Sequence, residues 1–264
     1  KVASGTNNIS GSTIKVKTFQ VGTGKEDSNV APTENVVVNL MDGAVLSTKG
    51  SDYDGWVGSK YGNTISDVRY ILNIDESVAT FGYLHVSKDG VLNVKGDVAE
   101  EDKANIASGN YTFYVGNFIV NGVATLDDVD TRVQYGKVSV DNTDTGESAG
   151  TLNIKNCDEI VFAAEGNTNS ALKWWNSGVV NIENSTVSAR TPNITATGAL
   201  NLVGSEFSTS STAITNAGTI TMDAASKITA TDIAGDGEVA IDATGFTGTK
   251  TVIDVDSTTT LTNN

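Results

Sequence analysis

Gly178-Val-Val-Asn-Ile182, Gly198-Ala-Leu-Asn-Leu202, Gly218-Thr-Ile-Thr-Met222 and Gly237-Glu-Val-Ala-Ile241 are four versions of one unit, a glycine followed by two apolar residues that flank a polar one. The glycines are separated by 20, 20 and 19 residues. A fixed period of this size marks a chain wound into stacked coils, each of which buries its apolar face only against its neighbours.

Within each coil the apolar residues arrive in three pulses. From Gly198 these are Leu200 with Leu202, then Phe207, then Ile214; the coil before has Val180 with Ile182, Val187 and Ile194, and the coil after has Ile220 with Met222, Ile228 and Ile233. Alternation sends Leu200 and Leu202 to one side of a strand and Asn201 to the other, so the apolar pair fills the interior. Gly, Ser, Asn and Asp between the pulses supply corners, where a turn needs positive φ or a side chain that bonds its own backbone. Helical spacing is absent and β-branched residues hold the strand positions. The expected fold is all-β, a single-stranded right-handed parallel β-helix (β-solenoid) with about three short strands per coil of roughly 20 residues.

The unit continues backwards with uneven spacing through Gly150-Thr-Leu-Asn-Ile154, Gly136-Lys-Val-Ser-Val140, Gly116-Asn-Phe-Ile-Val120, Gly109-Asn-Tyr-Thr-Phe113, Gly90-Val-Leu-Asn-Val94 and Gly82-Tyr-Leu-His-Val86. The 28 residues from Gly150 to Gly178 imply an extruded loop with Lys173, Trp174 and Trp175. Before Gly82 only fragments such as Ile14-Lys-Val16 and Val36-Val-Val-Asn-Leu40 read as strands, and residues 51–63 read as a long loop or cap. With no Pro-rich linker, residues 1–264 are expected to form one domain: irregular coils or a cap over 1–81, coils with insertions over 82–177 and short regular coils over 178–264. At roughly 20 residues per coil, this gives about thirteen coils and a rod on the order of 60 Å long.

Composition narrows the function. A formal net charge of −15 speaks against nucleic acid and anionic membrane surfaces as partners, and no apolar run is long enough to insert into a bilayer. The single cysteine, Cys157, precedes the apolar run Ile160-Val-Phe162 and reads as a small core or corner residue; a reactive thiol is the other reading. A chain opening on Lys1 and closing after a Thr-rich run is what a segment of a longer exported protein would show.

The Gly-x-Leu-Asn-Val and Gly-x-Leu-Asn-Ile units, set between Thr- and Ser-rich turns in an acidic, cysteine-poor chain, resemble the passenger regions of bacterial autotransporters and related β-helical surface adhesins of the pectin-lyase-like type. The resemblance covers residues 82–264. It implies an extracellular or bacterial cell-surface location and a rigid rod that binds a glycan, a host surface protein or a sister cell without catalysis.

The rival expectation is a β-helical polysaccharide lyase or glycoside hydrolase acting on an acidic polysaccharide. Its support is Leu126-Asp-Asp-Val-Asp-Thr-Arg132: on one strand, Asp128, Asp130 and Arg132 would share a face and could hold calcium and a uronic acid. A solvated acidic segment is the plainer reading. Polygalacturonase-like enzymes carry Gly-His-Gly, whereas the only histidine, His85, aligns with the outward slot of Asn93, Asn153, Asn181 and Asn201. Pectate-lyase-like enzymes carry Arg-x-Pro-x-x-Arg, and Arg190-Thr-Pro-Asn193 lacks the second arginine. Cys157 and His85 have no supporting nucleophile motif, and zinc lacks ligands. No cofactor is expected, with calcium left open at Asp52 and Asp54 in Ser51-Asp-Tyr-Asp-Gly55, which lacks the downstream acid of an EF-hand.

Aromatic placement is the stronger clue. All three tryptophans and all seven tyrosines precede residue 178. Tyr53, Trp56 and Tyr61 sit among acids and glycines where rings are presented to a ligand or else plug the end of the helix. Trp174 and Trp175 are adjacent, so an extended backbone points them to opposite faces, one inside and one displayed. A third reading, ice or mineral binding, comes from Thr195-Ala-Thr197 and Thr229-Ala-Thr231, although Thr215-Asn-Ala217 interrupts the array.

Overall fold

The computed structural model describes residues 1–2, 4–22, 32–48, 54–59, 68–106, 109–133, 138–140, 149–162, 174–209, 212–242 and 253–255. Every strand in the coils pairs in parallel with the equivalent strand one coil away, and the only antiparallel pair among the described residues is Ala104–Ile106 with Gly109–Tyr111. The chain is a parallel β-helix.

Three faces enclose the core. The first is a ten-stranded sheet: Thr6–Ser10, Val36–Met41, Tyr70–Asp75, Gly90–Lys95, Val123–Asp127, Thr151–Lys155, Val179–Glu183, Ala199–Val203, Thr219–Asp223 and Glu238–Asp242. The second runs through Thr13–Val16, Val45–Thr48, Thr131–Val133, Ile160–Phe162, Thr186–Ala189, Glu206–Thr209 and Lys227–Ala230. The third runs through Phe19–Val21, Gly55–Val57, Val138–Val140, Trp174–Asn176, Pro192–Ile194 and Ile214–Asn216. In the third and fourth coils one bent strand serves both the second and third faces: Val78–Val86 and Phe113–Val120 stack on each other along almost their whole length. The bend requires glycine, because a Cβ on Gly116 would lie 2.2 Å from the carbonyl oxygen of Gly82 in the coil before.

Among the described residues the first face has ten rungs, against the thirteen expected from a uniform 20-residue period. At about 4.8 Å per rung they span about 43 Å. Corner insertions account for the difference: Val37 pairs with Ile71, 34 positions on, and Val91 with Val123, 32 positions on, against 20 for Val179 and Ala199. Coils also extend into the stretch before Gly82, and residues 51–63, expected as loop, contain the third-face strand Gly55–Val57.

On the first face Leu152 with Ile154, Val180 with Ile182 and Leu200 with Leu202 are inward and buried, and Asn153, Asn181 and Asn201 stand in register between them. The asparagines bond edge to edge, Asn181 Nδ2 to Asn153 Oδ1 at 2.8 Å and Asn201 Nδ2 to Asn181 Oδ1 at 2.9 Å; Asn8, Asn39, Asn73 and Asn93 repeat the ladder in the first four coils. Asn39, Asn73 and Asn181 each use both donor and acceptor along the stack, which is why this column favours asparagine, and Thr125 separates the two runs.

Where the first face turns into the second, five coils place a non-glycine residue at positive φ: Asp42 (54°), Glu76 (43°), Asp128 (54°), Asn156 (54°) and Asn184 (48°). Its N–H bonds to the next coil, as from Asn156 to the Glu183 carbonyl at 3.0 Å and from Asn184 to Val203 at 2.9 Å. The following position holds Ser77, Cys157, Ser185 and Ser205 in equivalent places. The Ser185 hydroxyl accepts the Cys157 N–H at 3.0 Å and donates to the Glu183 carbonyl at 2.7 Å; Ser205 does the same for Ser185 and Val203, at 3.1 and 2.8 Å.

Candidate functional site

One register position runs unbroken along the third face. Backbone register links Gln20 to Trp56, Trp56 to His85, His85 to Ile119, Ile119 to Ser139, Ser139 to Trp175, Trp175 to Asn193 and Asn193 to Thr215. Two ring candidates from separate parts of the sequence, Trp56 and Trp175, thus share a face, four rungs or about 19 Å apart. Tyr53, Tyr61 and Asp52 lie outside the described residues.

The column changes character along its length. At the N-terminal end Trp56 is 8% exposed, His85 0% and Ile119 3%. The Trp56 and His85 rings meet edge to face with centroids 4.0 Å apart, and His85 Nε2–H donates to Asn121 Oδ1 at 2.8 Å. Burial pushes the imidazole from 6.5 down to about 4, against the smaller upward pull of the Asn121 bond. His85 therefore does not occupy the asparagine column to which its sequence unit aligned it. The unit starting at Gly82 is the third-face half of a bent strand, and apolar alternation looks the same on every face.

Farther along, Trp174 and Trp175 lie not in an extruded loop but on the strand Trp174–Asn176, which places them on opposite sides, while Lys173 lies outside the described residues. Trp174 is wholly buried, stacked parallel to Phe162 with centroids 6.1 Å apart and tilted against Phe207 at 5.4 Å. Trp175 faces outward and is partly exposed, with Asn193 and Thr215 continuing its column. A buried ring at the preceding residue fixes the strand that carries it, so the outer indole is held on a rigid support. The step from Trp175 to Asn193 and Thr215 follows the near-20-residue period of the regular coils.

The acidic segment does not form one strand. Asp127 ends a first-face strand, Asp128 is the positive-φ corner, and Arg132 sits on the second-face strand Thr131–Val133, so Asp128, Asp130 and Arg132 share no common face. Asp130 instead joins Asp97 and Glu100 around the Lys103 ammonium, at 2.7, 2.8 and 2.6 Å. These three carboxylates lie within 4.8 Å of one another, and the cation they enclose is the lysine's own. Burial pulls the Lys103 amine down, but the hydrogen bonds to Asp130, Asp97 and Glu100 outweigh it and hold the pKa above the usual lysine range. Arg132 donates to the Tyr111 hydroxyl at 3.2 Å and lies over its ring at 5.6 Å. Together these contacts fasten Asp97, Glu100, Lys103 and Tyr111 to the second face, an arrangement carried by Lys103, which no motif in the sequence marks. Beside it is a cavity of about 360 Å³ lined by Asp42, Glu76, Asp97 and Asp102 with Val45 and Val78.

Asp54, a calcium candidate in the sequence, is fully buried and accepts the backbone N–H groups of Gly82 at 3.1 Å and Tyr83 at 2.7 Å. The Asp54 carboxylate thus satisfies two backbone donors at the bend of the strand Val78–Val86. The two Thr-x-Thr motifs also part: Thr229 lies on the second face, whereas Thr195 and Thr197 follow a third-face strand and bond Ser177, at 3.0 Å to its hydroxyl and 2.9 Å to its carbonyl. They do not form one array. No known protein family, curated protein or solved structure matches this chain.

Proposed function

We propose that this protein is a non-enzymatic, adhesin-like rod, exposed on a bacterial surface or secreted, that binds a glycan through the outer column of its third face. The observation that carries the reading is the partly exposed Trp175, set on a strand locked by the fully buried Trp174 and continued by the amide of Asn193 and the hydroxyl of Thr215. An indole face packs on the C–H side of a sugar ring, and amide and hydroxyl groups bond its hydroxyls. Repetition at about 4.8 Å per rung gives shallow recognition along a polymer in place of a deep pocket.

The test is a glycan array and a titration of the best-binding glycan, run on the unaltered chain and on Trp175→Ala. Affinity should fall at least about tenfold, the scale of a displayed aromatic anchor, with the unfolding midpoint nearly unchanged because the substituted ring is outside the core. Unchanged affinity, or release of new reducing or unsaturated ends from the bound polysaccharide, would overturn the reading.

A further inference from the structure

A second surface stands on the opposite logic. The outward side of the first face carries three parallel columns, the middle one being the asparagine column, which Thr125 interrupts in the fifth coil. On one side of the ladder lie Val37, Ile71, Val91, Val123, Thr151 and Val179, in register from the second coil to the seventh. These side chains point away from the core, and Val123 and Val179 are 39% and 36% exposed. On the other side lie Asp75, Lys95, Asp127, Lys155 and Glu183, strictly alternating in sign from the third coil to the seventh.

We propose that this outer surface is a homotypic interface that docks a second copy of the chain with the two rods antiparallel. A twofold axis lying between the two facing sheets, parallel to the strands, keeps each column opposite itself and reverses the order of the coils. The aliphatic column then meets an aliphatic column and the polar middle column meets itself, with Asn93 facing Thr125 at the centre. Alternation in sign makes the charged column complementary to its own reverse whenever the axis passes midway between two rungs. With the axis between the fourth and fifth coils, Lys95 faces Asp127 of the other copy, Asp75 faces Lys155, Val91 faces Val123 and Val37 faces Val179. This register covers the aliphatic column from end to end, whereas moving the axis by a rung leaves part of it uncovered. A twofold axis along the rod would instead oppose aliphatics to charges.

The surface is nearly neutral, although the chain carries −15 overall, so the local field does not oppose contact. Six rungs by five strand residues measure about 24 Å by about 13 Å between centres. With side-chain margins, that is on the order of 1,000 Å² over both copies, the lower end of specific interfaces, so the association is weak and concentration-dependent. Alternating charges also attract their neighbours along one rod, as Lys155 and Glu183 do at 3.7 Å. That attraction explains the charges but leaves an uncovered aliphatic column beside them. The proposal concerns the first face and does not depend on glycan binding by the third.

Sedimentation velocity over a concentration series tests it, with the unfolding midpoint of every variant recorded. The unaltered chain should dimerise reversibly. Lys95→Glu and Asp127→Lys should each weaken dimerisation at least about tenfold, because each sets like charges against each other twice across the twofold axis. An equimolar mixture of the K95E and D127K chains should dimerise again, since both crossed pairs are then opposite in sign, and Val123→Lys should remove dimerisation in every background. A chain that stays monomeric throughout the series, or a mixture no more dimeric than either variant alone, would overturn the proposal. So would single variants that dimerise like the unaltered chain.

Discussion

The coils after Gly178 and those before it share one interior and differ at their corners. From Val179 to Ala199 and on to Thr219 the chain closes a coil every 20 residues, while from Val37 to Ile71 it takes 34. Yet Leu72 and Leu200 both point inward and are wholly buried, and both stretches carry the asparagine ladder beside them. Lengthening a corner costs little, because loop-closure entropy grows only with the logarithm of length. Slipping a strand by one residue would turn its whole apolar set outward. Insertions therefore collect at corners, and polar side chains with unusual partners, such as Asp54 and Lys103, collect with them.

The largest expected effect tests whether the two regions share one core. Leu200→Asp and Leu72→Asp each place an unpaired carboxylate between coils that cannot separate, and each should cost about 4 kcal/mol or more in guanidinium unfolding. Equal losses within a single transition fit one cooperative rod. A second transition, or a loss confined to one of the two variants, would show that the regular and inserted coils unfold as separate units.

Acid sharpens the contrast, because His85 belongs to the inserted coils and the regular coils have no equivalent. Its folded pKa of about 4 lies below the unfolded value near 6.5. Between these values the unfolded chain binds more protons, so stability is full above pH about 6.5 and falls as the pH drops towards 4, by about 3 kcal/mol from this group. The unfolding free energy measured across that window should show the loss, and His85→Gln, which cannot be charged, should remove that part of the slope. An identical slope in both proteins would assign the acid sensitivity to the carboxylates instead.

The periodic core was readable because burial of alternate residues imposes its pattern on every coil. The three pulses at Leu200 with Leu202, Phe207 and Ile214 are the three inward faces. The face to which an isolated unit belongs was not readable, since Gly82-Tyr-Leu-His-Val86 and Gly90-Val-Leu-Asn-Val94 alternate alike and only the pairing partner separates them. The adjacent tryptophans could be assigned to opposite sides from extended geometry alone. Two groupings needed three-dimensional register, because each joins residues through corners of unequal length: Trp56 with Trp175, and Lys103 with Asp97, Glu100 and Asp130.

The smallest effect falls on the boundary between the two regions, at Cys157. Its backbone N–H bonds the Ser185 hydroxyl at 3.0 Å, and its thiol donates to the Lys155 carbonyl at 3.0 Å, two residues back, as Ser185 donates to Glu183 and Ser205 to Val203. A thiol is a weak donor in a position built for a hydroxyl. Burial raises its pKa, against the pull of backbone hydrogen bonds, so the sulfur stays protonated in its corner. Cys157→Ser should therefore extend the serine column and change stability by less than about 1 kcal/mol, on the stabilising side, while Cys157→Ala removes the side-chain bond and should cost about 1 kcal/mol. Urea unfolding of the two variants side by side decides the matter. Serine ranking above alanine marks a corner ladder running unbroken from inserted into regular coils; serine ranking below alanine would mean that the site is read by the core as an apolar volume.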